Sequence, residues 1–112
     1  MSLNLYDTAS REVNEFQPLV AGQVSIYICG ATVQSAPHIG HVRSGVNFDI
    51  LRRWLLKSGY KVTLIRNVTD IDDKINKSAL EQGVNIKKYA EKYAKIYNQD
   101  IEQLGVLPPD IE

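Results

Sequence analysis

The chain lacks most of the features that mark secreted, membrane-spanning or nucleic-acid-coating proteins. It has one cysteine in 112 residues, which excludes an internal disulfide and fits the reducing cytoplasm as its compartment. The 13 Lys and Arg residues are balanced by 13 Asp and Glu residues, so a surface that binds nucleic acid generally is not expected. No apolar run approaches the roughly 18 residues of a membrane-spanning helix, and the N-terminal residues carry no secretory signal.

What remains is the composition of an ordinary globular protein, 44% hydrophobic and 23% charged, and its pattern predicts a β-α-β unit. Residues 24–29 form a short apolar run rich in β-formers, and residues 61–68 form a second one. Between them, apolar residues recur at steps of three and four across 41–57, which predicts a helix ended by Ser58-Gly59. The predicted apolar stripe of this helix consists of Val42, Val46, Ile50, Leu51, Trp54 and Leu55. Such a crossover is right-handed and joins parallel strands.

The flanking segments complete the predicted order of elements. Residues 1–23 are expected to be irregular, because they are largely polar and are interrupted by proline and glycine. A short helix is predicted over 73–82, and Asn85 is expected to cap a longer helix that runs to residue 104. Two parallel strands do not close an α/β domain, since a parallel sheet needs both faces and both edges covered. The expected fold is therefore α/β: a partial Rossmann-like parallel-sheet domain, the first βαβ half plus helices.

Residues with reactive or metal-binding side chains cluster between the first predicted strand and the helix. Cys29 ends the first apolar run, and His38-Ile39-Gly40-His41 follows at the expected helix start. A strand end that leads into a helix is where α/β proteins bind nucleotides. A thiol and two imidazoles there indicate metal and phosphate chemistry side by side. Taken alone, each has a structural alternative, because a lone cysteine is often a small buried hydrophobe and histidines near a helix start often cap it.

The segments around these residues are more specific than the tetrapeptide by itself. They read Tyr-Ile-Cys-Gly-Ala-Thr-Val at 27–33, His-Val-Arg-Ser at 41–44 and Arg-Asn-Val-Thr-Asp-Ile-Asp-Asp-Lys-Ile at 66–75. In this order and spacing the chain resembles the N-terminal part of the cysteinyl-tRNA synthetases, a family of class I aminoacyl-tRNA synthetases. The resemblance implies that residues 1–112 are the N-terminal part of the catalytic nucleotide-binding domain, without the rest of that domain or the anticodon-binding region.

A second family shares much of this pattern. The ligase that joins cysteine to a glucosamine-inositol in mycothiol synthesis is similar in its Cys-Gly-x-Thr and Asn-x-Thr blocks, and it also begins with cysteinyl-adenylate. Arg43-Ser44 after the second histidine resembles the synthetase more closely. Two further alternatives stay open for the chain itself: a nucleotide-binding fragment without catalysis, and a structural half-domain that needs a partner segment.

The resemblance implies a zinc site to which Cys29 supplies one ligand. Its thiolate would bind a tetrahedral Zn²⁺ whose open position takes the thiol of the substrate cysteine. A soft thiolate on zinc separates cysteine from serine, a pair that a shaped pocket alone discriminates poorly. The other ligands of the family's site, a downstream cysteine, histidine and glutamate, are not in this sequence. The chain alone is therefore expected to hold no stoichiometric zinc.

The resemblance also implies an ATP site. His38 and His41 are the expected catalytic residues, and with Ile39 and Gly40 they are expected to bind ATP, which enters with Mg²⁺. A helix start suits the phosphates, because its unpaired N–H groups and its dipole favour anions. The expected pocket for cysteine and its adenylate contains Cys29, Gly30, Thr32, Ser44, Asn67 and Thr69.

Other polar and aromatic residues favour structural roles. Asp70, Asp72 and Asp73 are candidates for binding Mg²⁺ or a substrate ammonium group, but capping of the next helix is the favoured interpretation. Around the last two predicted helices, six lysines are offset by six acidic residues, which indicates a solvated face rather than a tRNA site. Three tyrosines spaced four apart in the last helix are expected to pack rather than to stack on bases.

The function that the resemblance implies is cysteine–tRNA ligation. The intact enzyme would activate cysteine with MgATP to cysteinyl-adenylate and then transfer the cysteine to tRNA(Cys). Its partners would be ATP, L-cysteine and tRNA(Cys), in a cytoplasmic enzyme that is a monomer and binds no membrane. The lysine-rich loop that closes over ATP in the family is not among these 112 residues, so the chain alone is expected to be inactive.

Overall fold

The computed structural model describes residues 2–112, which fold into a mixed α/β structure. The strands of this part are β1 (Asn4–Asp7), β2 (Glu12–Glu15), β3 (Gln23–Ile28) and β4 (Lys61–Arg66). Its helices are α1 (Ile39–Lys57), α2 (Asp73–Glu81) and α3 (Ile86–Gln103). The β-α-β unit is confirmed as β3-α1-β4, and the two helices predicted after it are confirmed as α2 and α3. In this described part, no helix is long and apolar enough to cross a membrane.

β3 and β4 form the parallel pair that the crossover through α1 predicts. Val24 lies opposite Val62, and the pairing continues to Ile28 opposite Arg66. Alternate side chains of both strands are buried, and α1 packs against β4. The second strand ends at Arg66 rather than at the predicted residue 68, because the side chain of Asn67 turns across to hydrogen-bond the loop after β3.

The N-terminal segment contains a β-hairpin, so the expectation that residues 1–23 are irregular is wrong. β1 and β2 pair antiparallel over their full length. In the turn, the Asp7 carboxylate accepts backbone N–H bonds from Ala9 at 3.0 Å and Ser10 at 3.2 Å, and hydrogen bonding, led by Ala9, lowers the pKa of Asp7. Both strands are short and mostly exposed. They therefore lack the apolar–polar alternation by which a half-buried strand is recognised in a sequence.

The last residues of the chain add a third position to the parallel sheet, which the sequence pattern did not predict. Ile111 pairs with Ile65 in a parallel bridge, and the Arg66 N–H donates to the Ile111 carbonyl at 3.0 Å. The Asp110 carboxylate accepts the Leu64 N–H at 2.7 Å. Alternate residues of a strand direct their backbone groups to opposite edges, so β4 is central, with β3 on one side and the C-terminal residues on the other.

Two clusters of buried apolar side chains hold these elements together. One joins α1 to the sheet through Val24, Leu55 and Val62. The other surrounds the contact between α2 and α3 and contains Val33, Ile75, Ala79, Tyr89 and Ala90. The Tyr89 hydroxyl donates to the Gln34 carbonyl at 2.7 Å, so packing rather than base stacking is confirmed for this tyrosine.

The inward face of α1 is less apolar than predicted. Ile50, a member of the predicted stripe, is 62% exposed. Asp49 and Arg52 are buried instead, because the segment after α3 crosses this side of the helix with backbone groups that need polar partners. Arg52 donates to the Pro108 carbonyl at 2.6 Å, and the Asp49 carboxylate accepts the Leu107 N–H at 3.1 Å. These two charged side chains therefore attach the C-terminal segment to α1.

Replacement of Ile75 by alanine is expected to lower the free energy of unfolding by about 2–5 kcal/mol. Ile75 is 0% exposed, so its truncation leaves a cavity beside α3. Leu80 in the same helix is 82% exposed, and Leu80→Ala is expected to change the free energy by about 0.5 kcal/mol or less. Urea denaturation of both variants measures the difference, and equal losses would contradict this packing.

Candidate functional site

The candidate site lies where β3 and β4 end and α1 begins. Parallel strands in register end at the same edge of the sheet, which is where ligands bind in open α/β sheets. Ile28 and Arg66, the last residues of the two strands, lie opposite each other. The loops that follow carry five residues predicted for the site: Cys29, Gly30, Thr32, Asn67 and Thr69.

Gly30, Asn67 and Thr69 form a hydrogen-bonded clasp, in which one bond joins the two loops and the other lies within the loop after β4. The Gly30 N–H donates to Asn67 Oδ1 at 2.9 Å, and Asn67 Nδ2 donates to Thr69 Oγ1 at 3.3 Å. Further along, the Val33 N–H donates to the Thr69 carbonyl at 3.2 Å, and Thr32 forms a parallel bridge with Thr69. The structure thus brings these predicted residues together, and their hydrogen bonds join one loop to the other.

Gly30 occupies a position with no room for a side chain. A Cβ atom there would lie 1.9 Å from the Asn67 carbonyl oxygen, far inside van der Waals contact. The two loops approach this closely because residue 30 is glycine. The close approach of the two loops therefore explains why the Cys-Gly-x-Thr pattern has glycine at this position, without reference to a ligand.

Cys29 is exposed and its thiol is free, so the alternative that it is a small buried hydrophobe is wrong. Between residues 2 and 112, no group of three or more His, Cys, Asp or Glu side chains is arranged to hold a metal ion. An accessible thiol at a strand end is a soft donor of the kind that zinc takes. The thiol of Cys29 is therefore chemically suited to bind zinc. The described residues place no further ligands beside it to complete a tetrahedral site.

His38 and His41 cap the start of α1 with their side chains. His38 is the N-cap residue, and its Nδ1 accepts the Gly40 N–H at 3.1 Å. His41 Nδ1 accepts the His38 N–H at 3.2 Å, so the pair completes a capping box. The two ring centroids lie 3.9 Å apart. The helix begins at Ile39 rather than at the predicted residue 41, because these caps supply partners for its first N–H groups.

The capping bonds determine which ring nitrogen of each histidine carries the proton. A nitrogen that accepts an N–H bond carries no proton itself, so the neutral rings keep theirs at Nε2. Two Nε2–H donors are therefore left at the positive end of a helix, the end that favours anions. Capping thus uses the Nδ1 atoms and leaves the Nε2–H groups, so it does not exclude the phosphate-binding role expected for these histidines.

The remaining predicted site residues lie in the first turns of α1. Ile39 is 83% exposed, and Gly40 and Ser44 are also exposed. A Cβ atom on Gly40 would lie 2.9 Å from His38 Cε1. Glycine at position 40 therefore allows the capping ring to fold over the helix start.

Helix caps also account for polar residues after β4. The Asp72 carboxylate caps α2 by accepting the Lys74 N–H at 2.8 Å, and Asp73 lies in the first turn. Asn85 caps α3 by accepting the Lys87 N–H at 3.0 Å. The favoured capping interpretation is confirmed for Asp72, and so is the predicted cap at Asn85.

Arg66 is the residue at this edge whose role the sequence reasoning missed. Its buried side chain donates to Asn98 Oδ1 at 2.7 Å and pairs with the Glu112 carboxylate. The guanidinium carbon lies 5.2 Å from the centroid of the Tyr97 ring. A charged residue at the end of an apolar strand is ordinarily exposed, and these partners are 32 and 46 residues away along the chain. The one feature of the sequence that pointed to Arg66 is its position as the first residue of the 66–75 motif.

A parallel strand pair whose two strands are connected by a helix, with the loops after the strands joined to each other, is the β-α-β arrangement of a Rossmann-like domain. Residues 15–112 match the family described as "tRNA synthetases class I (C) catalytic domain". The chain therefore belongs to this family, and the membership expected from its motifs is confirmed.

Curated relatives extend this match along the chain. The cysteine–tRNA ligase of Bifidobacterium longum (strain NCC 2705) is 58% identical over 110 residues, which cover 98% of this chain and 20% of the relative. That of Streptomyces griseus subsp. griseus is 54% identical over 112 residues, which cover 100% of this chain and 24% of the relative. That of Nocardioides sp. (strain ATCC BAA-499 / JS614) is also 54% identical over 112 residues, with the same coverage of 100% and 24%. The chain thus spans about a fifth to a quarter of the length of these relatives.

The pKa of His41 is expected to lie below its ordinary value of 6.5, because burial and then the charge of His38 disfavour the protonated ring. As the pH falls, the unfolded chain therefore takes up this proton before the folded chain does. The stability from this group is fully present above the unfolded pKa and is lost as the pH falls through the folded pKa. NMR titration of the His41 ring measures the midpoint, and a midpoint at or above the ordinary value would contradict the expectation. His41→Gln keeps a side-chain acceptor for the capping box and should remove this part of the pH dependence.

Proposed function

We propose that the chain is the N-terminal part of the catalytic domain of a cysteine–tRNA ligase, which couples cysteine to tRNA(Cys) at the expense of ATP. The observation that carries the proposal is identity of 53–58% to proteins of that name over nearly the whole chain. The arrangement of a free thiol after β3 and paired imidazoles at the start of α1 supports it. The relatives are tRNA ligases, which favours transfer to tRNA over the transfer to a glucosamine-inositol found in mycothiol synthesis.

The first step of the proposed reaction takes place beside His38 and His41, at the start of α1. The carboxylate of cysteine attacks the α-phosphorus of ATP, a carboxyl-oxygen–phosphorus bond forms, and the bond to the leaving pyrophosphate breaks. Negative charge on the phosphoryl oxygens is stabilised by donors fixed in advance. The Nε2–H groups of His38 and His41 are these donors, and the Ile39-Gly40 backbone between them contacts the nucleotide. Mg²⁺ bound to ATP would add further positive charge at the phosphates.

The substrate cysteine is selected beside Cys29, at the end of β3. The Cys29 thiolate would be one ligand of a zinc ion, and the rest of the ligase would supply the others. Bound there, zinc would act as a soft Lewis acid that prefers the thiol of cysteine to the hydroxyl of serine. The pocket around cysteine and its adenylate contains residues of the two strand-end loops and of α1, namely Gly30, Thr32, Ser44, Asn67 and Thr69. In the second step a hydroxyl at the 3′ end of tRNA(Cys) attacks the adenylate carbonyl, and AMP leaves.

A chimera tests the proposal directly. The matching segment of the Bifidobacterium longum ligase is replaced by this chain, and the product is expected to catalyse cysteine-dependent ATP–pyrophosphate exchange and to charge tRNA(Cys), but not to use serine. The chain alone is expected to show no exchange and to hold less than one zinc per molecule, because it supplies one ligand. A folded chimera without cysteine-dependent exchange, or one that transfers cysteine to glucosamine-inositol instead of tRNA, would overturn the proposal.

Variants that preserve the caps separate the catalytic role of the histidines from their structural role. In the chimera, His38→Asn and His41→Gln keep oxygen acceptors for the capping bonds, so the melting temperature is expected to change little. Loss of one positioned imidazole donor is expected to slow adenylate formation on the order of 10²-fold. Single-turnover exchange and thermal melts measure the two effects.

The matched control for these variants is another helix cap. Asn85→Ser replaces the N-cap of α3 by an equally good capping residue and should leave both the melt and the exchange rate near those of the parent chimera. If His38→Asn and His41→Gln behave like this control, the imidazole rings are not required for adenylate formation.

A further inference from the structure

The amide of Asn67 connects the two loops at the point where the candidate metal ligand is attached. Its Oδ1 accepts the Gly30 N–H at 2.9 Å, and its Nδ2 donates to Thr69 Oγ1 at 3.3 Å. Gly30 directly follows Cys29 in the chain. Both ends of the Asn67 amide are thus engaged within the protein, one of them on the residue beside the exposed thiol.

The backbone of Cys29 is held on both sides, by the last residue of β4 and by the residue after it. On one side, Ile28 pairs with Arg66 in the parallel ladder. On the other side, the Gly30 N–H is held by Asn67. Because peptide units are rigid and planar, holding both neighbours limits the directions that the Cα–Cβ bond of Cys29 can take. Its side chain is exposed, so packing of the thiol itself contributes little to this restraint.

The end of β4, which precedes Asn67, is held by its own side-chain contacts. Arg66, the preceding residue, is 6% exposed, donates to Asn98 Oδ1 at 2.7 Å and pairs with the Glu112 carboxylate. The end of β4 is therefore attached to α3 and to the C-terminal residues. Asn67 holds the loop after β3 against this fixed end.

We propose that Asn67 is a positioning residue: it acts through the Gly30 N–H to aim the Cys29 thiolate at the zinc ion, rather than by contacting the adenylate. This inference rests on the proposed function and changes the role of one residue within it. Groups that orient a metal ligand typically account for 10- to 100-fold in metal affinity, because a ligand that is free to rotate must be ordered when the metal binds. Selection of cysteine by its thiol then depends on Asn67, whereas ATP binding at the other end of the site does not.

The test uses the chimeric ligase with Asn67→Ala and Asn67→Asp. Asparagine and aspartate have nearly the same shape, so the carboxylate keeps an acceptor for the Gly30 N–H, and the Thr69 hydroxyl is able to donate to it. Zinc release to a chromogenic chelator is measured first, without any catalysis. The Michaelis constants for cysteine and for ATP are then measured separately by ATP–pyrophosphate exchange.

Asn67→Ala is expected to release zinc about 10- to 100-fold faster than the parent chimera and to raise KM for cysteine by a similar factor, with KM for ATP within about twofold. Asn67→Asp is expected to recover most of the zinc retention and the cysteine affinity. Asn76→Ala, at an exposed asparagine of α2, is the matched control and should change neither. Should Asn67→Ala fail to fold, Asn67→Ser replaces it, because the shorter serine side chain does not reach the Gly30 N–H.

The aspartate variant discriminates between the two roles of Asn67. If Asn67 instead contacts the adenylate, a carboxylate beside anionic phosphates is repelled, so Asn67→Asp would bind substrates worse than Asn67→Ala and zinc release would stay unchanged. That result, or equal increases in KM for cysteine and ATP, overturns the inference. A parent chimera without zinc or without cysteine-dependent exchange overturns the proposed function instead, so the two failures are distinguishable.

Discussion

The parallel register of β3 and β4 is the constraint on which the rest of the structure depends. Because Ile28 lies opposite Arg66, both strands end at the same level and the loops after them meet. A shift of one residue would turn the buried side chains outward and would move Gly30 away from the Asn67 amide. The clasp and the position of Cys29 both follow from this register.

The backbone beside Cys29 and the backbone at the start of α1 are held by the same kind of interaction. In the clasp, the side-chain oxygen of Asn67 accepts a backbone N–H next to Cys29. At the start of α1, the Nδ1 atoms of His38 and His41 accept backbone N–H groups. In each case a polar side chain satisfies the backbone and leaves a reactive group, thiol or Nε2–H, to face outward. Groups fixed in this way need little reorganisation, which the proposed reaction would require when charge develops on its substrates.

Long-range polar contacts are one part of the structure that local patterns did not predict. Arg52 and Arg66 are buried because residues near the C-terminus supply their partners, Asp110 and Glu112. The hairpin β1–β2 was missed for a different reason: its exposed strands bury few apolar side chains, and burial is what makes a strand visible in a sequence.

The sequence by itself determined the family, the β3-α1-β4 unit and the caps at Asp72 and Asn85. These are local properties, since apolar periodicity, capping residues and contiguous motifs are expressed within a few neighbouring positions. The tertiary structure alone decided that Asn67 holds Gly30, because this hydrogen bond joins residues 37 positions apart. It also decided that each histidine keeps Nε2–H free, because the capping geometry, and not the identity of the residue, selects the nitrogen that accepts.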